Sequence, residues 1–348
     1  MSAALATCSR AIVAAFSARA LELRQAQDAR SQLAYALASP MDLFIDPERM
    51  SADEQQRVTK ERDSEARAAL LRAAALAPDD PDVLWLVASQ CGGGGECLAV
   101  QQALLAAEPA NAAVWLREMG WARMRGDPAA SQTAFQHAAA ASGYDTHRSA
   151  TDAMMRHGYA EVPMPAVCLH PDVPKAAALW RSQTGMPAPV GELGVLDHAL
   201  GLANMNKMMA VPAYIDIRQQ CGPTTDHPML PEKYAACRRV MTWMADGETL
   251  IELAVSLDAM VRLTADAPDA AQWRERYRQN RWLVQQQSDI AFHALLRPED
   301  YADGEVPALQ AMLEAVDRWP PPADWLPEDE DSRSLILTGR PPAEKKRN

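Results

Sequence analysis

Signatures of chemistry are what this sequence has least of. It contains no His-Glu-x-x-His, no Gly-x-Ser-x-Gly and no Cys-x-x-Cys, which removes the usual patterns of zinc peptidases, serine hydrolases and zinc ribbons. Positive charge is also short: 34 Lys and Arg face 46 Asp and Glu, for a net charge of −12. Nucleic acid and anionic membranes both reward a net positive surface, so neither is expected as the main partner. Arginines and acids break every apolar stretch before it reaches 18 residues, so no membrane span is expected. Nor is there a convincing run of alternating apolar and polar residues, which leaves an all-α class.

What is present is a helical periodicity with a repeat inside it. LRAAALAPDDPDVLW (71–85) overlays on LLAAEPANAAVW (104–115), with Pro78 and Pro109 spaced 31 residues apart and Trp85 and Trp115 spaced 30 apart. Each proline follows an alanine-rich helical run, which it cannot continue. Asp79, Asp80 and Asn111 then supply cap-type side chains for the next helix. Gly126-Asp127-Pro128 marks a turn inside the following pair.

The pattern resembles the tetratricopeptide (TPR) family, clearly over 65–141 and loosely over 28–141. Trp115, the Gly126-Asp127 turn, Phe135 and Ala138 match one unit; Ala66, Leu70, Ala73 and Pro78, then Cys97, Leu104 and Pro109, match the preceding second helices. Gly120 falls one residue late, Gln101 stands where a large apolar residue is usual, and the unit at 81–108 has a shortened turn. The resemblance implies a TPR-like α-solenoid of antiparallel helix pairs. Its repeat core would be Ala66, Leu70, Ala73, Leu104, Trp115, Phe135 and Ala138, with small residues at the crossings and large ones filling the gaps beside them. An ordinary alanine-rich bundle is the alternative.

The rest of the chain divides around this array. Residues 1–143 form the repeat region, and 144–174 a helix followed by a proline-rich linker. A C-terminal helical bundle occupies 175–318, and 319–348, rich in proline and charge, is expected to be partly disordered. Ser51 and Glu54 have capping-box spacing at the start of a long helix toward Ala77.

The six cysteines allow 15 pairings. Cys91 and Cys97 flank GGGGE, and Cys221 and Cys237 flank a turn, so each pair could bridge adjacent helix ends; six reduced, buried cysteines are the competing expectation. The N-terminus reads as a helix interrupted by Arg10 and Arg19, not as a signal peptide, and that places the chain in the cytoplasm as written. A disulfide between Cys91 and Cys97 would instead imply an oxidising compartment such as a periplasm, and a missing upstream signal.

Other candidates for chemistry have plainer readings. The glycine run at 92–95 lacks the Lys-Ser/Thr of a phosphate loop and reads as a hairpin turn. Asp145 and His147, His170 and Asp172, Asp197 and His198, and Asp226 and His227 are neighbours without a third convergent group, so they read as turn and surface residues. Met205, Met208 and Met209 could hold Cu(I), but more simply fill a core or an adaptable groove. Trp273, Arg274, Tyr277, Arg278 and Arg281 form the best single patch for a partner, although a solvated face over an aromatic seam explains them too.

These features point to a non-enzymatic helical-repeat protein that binds a protein or peptide, with no cofactor or metal. A soluble inhibitor or immunity-type protein aimed at a basic target is the second possibility. The third is a hydrolase with an interdomain pocket.

Overall fold

The computed structural model describes residues 2–38, 51–91, 95–184, 194–209, 214–222, 229–293 and 304–342, leaving aside the side chains of 203–209 and 288–293. Those residues are all-helical, with no strand among them. The chain divides into two compact units: Met1–Glu108 with Thr146–Val211 and Phe292–Pro298, and Pro109–Asp145 with Pro212–Ala291 and Glu299–Asn348. The boundary after Glu108 places the two hairpins of the expected array in different units.

The first unit contains α1 (Ala3–Gln25), α2 (Ala29–Ala38), α3 (Ala52–Leu76), α4 (Pro81–Gln90) and α5 (Gly95–Ala107), then α8 (Arg148–Tyr159), α9 (Asp172–Thr184) and α10 (Val195–Met209). Its centre is α2, whose residues from Ser31 to Ala38 are all buried. Alanines make that possible, because small side chains let neighbouring helices approach. At the crossing with α8, a Cβ on Gly158 would lie 2.7 Å from the Ala34 Cβ, closer than atoms can pack. Gln32 is buried as well, but its amide is used: Nε2 donates to the carbonyls of Arg24 (3.0 Å) and Ala26 (2.7 Å) and so closes the end of α1. Oε1 accepts from Arg72 Nε of α3 at 3.0 Å.

Helix α1 buries Leu5, Cys8, Ile12, Phe16 and Leu23 along one face. Leu21 of the same helix is exposed. Despite Arg10 and Arg19, α1 is long and apolar enough to cross a bilayer by length and composition, the one such helix among the described residues. Its many alanines raise the mean hydropathy, and that outweighs the two charges. Helix α4 is enclosed on all sides from Val83 to Ala88, as a helix apolar all round must be. Asp80 caps it by accepting from the Asp82 and Val83 amides. It pairs with α5 as a helical hairpin.

In the second unit, α6 (Ala112–Met124) and α7 (Pro128–Ala140) form another hairpin, followed by α11 (Tyr214–Cys221), α12 (Pro231–Ala245), α13 (Leu250–Leu263), α14 (Ala270–His293), α15 (Glu305–Glu314) and α16 (Glu330–Thr338). The α6–α7 turn is made by Gly126 at φ +74° and by Asp127, which caps α7 ahead of Pro128. Asn111 caps α6 and also clamps the chain beyond α7: its amide donates to the Asp145 carbonyl at 2.9 Å and accepts from the Asp145 N–H at 3.0 Å. Thr249 and Glu252 form a reciprocal capping box at the start of α13. Tyr144 donates to the same buried carboxylate at 2.7 Å, and burial followed by the Glu252 charge pushes its phenol well above its ordinary range.

Ala66, Leu70, Ala73, Leu104, Phe135 and Ala138 are all buried. Trp115 is half-buried instead: it stacks on His137 with ring centroids 4.2 Å apart and donates Nε1–H to the Pro109 carbonyl at 2.8 Å. The enclosed tryptophan is Trp85, at 0% exposure. Residues 319–342, expected to be partly disordered, lie against their own unit. Trp325 packs edge-on against Trp282, and α16 buries Leu335 and Ile336 and ends at Gly339 in the left-handed region. The prolines and acids around these few apolar residues hide them in the sequence.

Candidate functional site

The cysteines organise the most distinctive region. Cys91 and Cys97 are bridged across the α4–α5 turn, with Cα atoms 5.6 Å apart, and Cys221 and Cys237 join α11 to α12 at 5.4 Å. Both pairs were legible because their members are close in sequence, 6 and 16 residues apart, and lie on successive helical runs. A third bridge was not: Cys8 of α1 meets Cys168 at a Cα distance of 4.8 Å, across 160 residues of sequence. The one clue to it was elimination, since these are the two cysteines the other pairs leave over. None of the six is free.

Cys168 lies in a 3-10 turn, Ala166–Leu169, within the stretch expected to be a linker. Its prolines prevent a continuous helix, and the bridge fastens the turn to α1. Cys168 itself is buried, which turns its neighbours outward: Val167 is 46% exposed and Leu169 70%. Helix α9 follows and buries little beyond Val173 and Ala177, leaving Leu179 at 56% exposure. Fourteen residues, 166–179, thus carry three large apolar side chains in solvent on a covalently fastened support. Solvent-facing apolar side chains are ordinary singly; these three fall within one short segment.

No family model, curated protein or solved structure matches this chain.

The Asp–His neighbours have separate fates. His147 does not pair with Asp145. It caps α8 from the left-handed region at φ 49°, buried, with Nδ1 at 2.8 Å from Asp82 and Nε2 at 2.7 Å from Glu108. Its ring lies 5.3 Å from that of Trp85. Both nitrogens face carboxylates, and ionised carboxylates only accept, so the doubly protonated ring satisfies both contacts. The hydrogen bond to His147 is the main cause holding the Asp82 carboxyl below its ordinary range, against the opposing effect of burial. This knot ties the starts of α4 and α8 to the end of α5. His170 and Asp172 are exposed at 3.6 Å. His198 packs edge-on against Phe16, while Asp197 accepts from the Gly194 N–H. Asp226 and His227, the glycines at 92–94, and the side chains of Met205, Met208 and Met209 lie outside the described residues. No cluster of three or more His, Cys, Asp or Glu among the described residues is arranged to hold a metal.

The α14 patch is divided by burial. Trp273 and Tyr277 face inward at 6% and 5% exposure; Trp273 donates to Asp269, and the Tyr277 hydroxyl meets that of Ser332. Arg278 binds Glu275 through two nitrogens and donates to the Pro322 carbonyl. That pairing lowers the Glu275 carboxyl and raises the Arg278 guanidinium. Arg281 reaches Asp329 at 3.4 Å, and Arg274 is half-buried. Two of the guanidiniums therefore fasten the C-terminal segment to α14 instead of forming a shared cationic face.

Proposed function

We propose that this chain is a non-catalytic, TPR-like helical-repeat protein that binds a protein or peptide partner in an oxidising compartment such as a periplasm. The observation that carries the reading is the exposure of Val167 and Leu169 on either side of the buried, bridged Cys168. A binding surface held rigid before contact loses little conformational entropy on association. The α4–α5 and α6–α7 hairpins, the second with buried alanines on both helices, support the TPR-like part. The three bridges support the compartment, because disulfides persist where thiols are not kept reduced.

The test is a photo-crosslinking residue in place of Leu169, installed in the protein within its producing organism. One predominant adduct is expected. It should disappear when Val167→Asp and Leu179→Asp are added, while the far-ultraviolet circular dichroism stays helical. Failure to form an adduct, or one indifferent to the aspartates, would sink the proposal.

A further inference from the structure

Along α14 the buried positions recur every three or four residues: Trp273, Tyr277, Asn280 and Leu283. The stripe continues to Gln286, whose amide accepts from Arg318, and the exception is the amide of Asn280. Its side chain is 1% exposed, yet both Oδ1 and Nδ2 lack a hydrogen-bond partner. A buried amide without partners is costly in a folded protein, and such groups call for a specific explanation.

Asn280 lines a cavity of about 190 Å³ in the second unit, between α11, α13 and α14. The cavity has an apolar wall of Ala254 and Val255 and a charged rim of Arg218, Asp258 and Arg281. Nε of Arg281 is also buried without a partner. Arg218 is exposed, and no ion pair to it is found among the described residues. Asp258 already accepts two bonds from Arg262, at 3.0 and 3.1 Å, and its oxygens have further lone pairs. Unused donors on two guanidiniums, next to an amide offering both a donor and an acceptor, form an incomplete hydrogen-bonding set.

We infer that this cavity binds a small carboxylate carrying an adjacent hydrogen-bond donor, of the size of an α-amino or α-hydroxy acid. Guanidinium groups match a carboxylate in both charge and geometry. The Asn280 Oδ1 and the Asp258 carboxylate then receive the ligand's hydroxyl or ammonium, and the short side chain rests on Ala254 and Val255. The volume suits a ligand of this size and is smaller than drug-sized pockets. Ordered water filling the same space, roughly 30 Å³ per molecule, is the competing outcome.

Calorimetric titration of the intact, oxidised protein separates the two. The probes are L-serine, L-lactate, acetate and inorganic phosphate, each to about 10 mM. L-serine or L-lactate should bind saturably, at least about tenfold tighter than acetate, which lacks the adjacent donor, or phosphate, which lacks the short side chain that rests on Ala254 and Val255. Arg218→Gln, an exposed change, should weaken binding about ten- to a hundredfold, as expected for losing a charge-assisted hydrogen bond. Asn280→Leu, nearly the same shape, should abolish the heat of binding and raise the melting temperature of the ligand-free protein. Absence of saturable binding by both L-serine and L-lactate overturns the inference. Acetate or phosphate binding as tightly does so too, as does a lower melting temperature in ligand-free Asn280→Leu, which would show that the fold itself uses the amide.

Discussion

Reducing this protein should damage it unequally, and loop length sets the order. Cys8 and Cys168 are separated by 160 residues, Cys91 and Cys97 by only 6. In the chain-entropy account a cross-link stabilises by restricting the unfolded chain, more so as the closed loop lengthens; the long loop gives about 5 kcal/mol and the short one about 2. The inner bridge shortens the outer loop by only a few residues, which hardly alters a logarithm. The comparison is well controlled, because both bridges lie in the first unit and all four sulfurs are nearly or fully buried. Replacing either pair with alanines removes two buried sulfurs, so packing losses largely cancel in the difference. Cys8→Ala/Cys168→Ala should therefore be about 3 kcal/mol less stable than Cys91→Ala/Cys97→Ala in reversible urea melts followed by tryptophan fluorescence. The urea slope is a second readout. Freeing the long loop lets the unfolded chain expand and expose more surface, so the slope should rise for the first variant and barely change for the second. Equal losses with equal slopes would show that these bridges act through native packing, and the argument from loop length would be wrong.

Two further outcomes follow from single residues. Phe135→Ala, at a site with 1% exposure, should cost about 3–5 kcal/mol, whereas Trp115→Ala, half-buried on His137, should cost only about 1–2 kcal/mol; equal costs in urea melts would contradict the different burial. Asp82 has a depressed carboxyl pKa in the folded protein, so its stabilising contribution is present above the ordinary aspartate value of about 3.9 and is lost as pH falls through the lower folded value. The stability gap between the wild type and Asp82→Asn should accordingly begin to narrow as pH falls below about 4 and narrow further through the lower folded value, and a gap that stays constant there would remove His147 as the cause.

Local signals were readable in this sequence where the physics is local. Asp80, Asn111 and Ser51 lie where helix starts need acceptors, and each caps the helix that follows. The two turn-flanking cysteine pairs were readable for the same reason. What escaped depends on distant neighbours. Trp85 and Trp115 occupy equivalent places in the overlaid segments, yet α4 is enclosed by its unit and the Trp115 ring is covered mainly by its own hairpin. Asp145 is two residues from His147, but the chain turns so that the ring meets carboxylates 65 and 39 residues away. The arginines of α14 look like a cationic face until the C-terminal segment, itself unremarkable in sequence, supplies the carbonyl of Pro322 and the carboxylate of Asp329.

Buried polar side chains carry the information that apolar periodicity does not. Gln32 joins α1, α2 and α3 through one amide, and Asn111 holds both the start of α6 and the chain beyond α7. Glu252 gathers Thr249 and Tyr144 onto a single carboxylate. In each case the cost of taking a polar group out of water is offset by hydrogen bonds that fix where separate segments meet. Asn280 incurs that cost without such bonds, and leucine would suit the same stripe of α14 better if stability alone governed the position. Asn280 is the side-chain amide among the described residues that leaves both its atoms buried and unbonded, and it does so beside an arginine-rimmed cavity, which is why the sign of the stability change in Asn280→Leu is the most informative single measurement on the second unit.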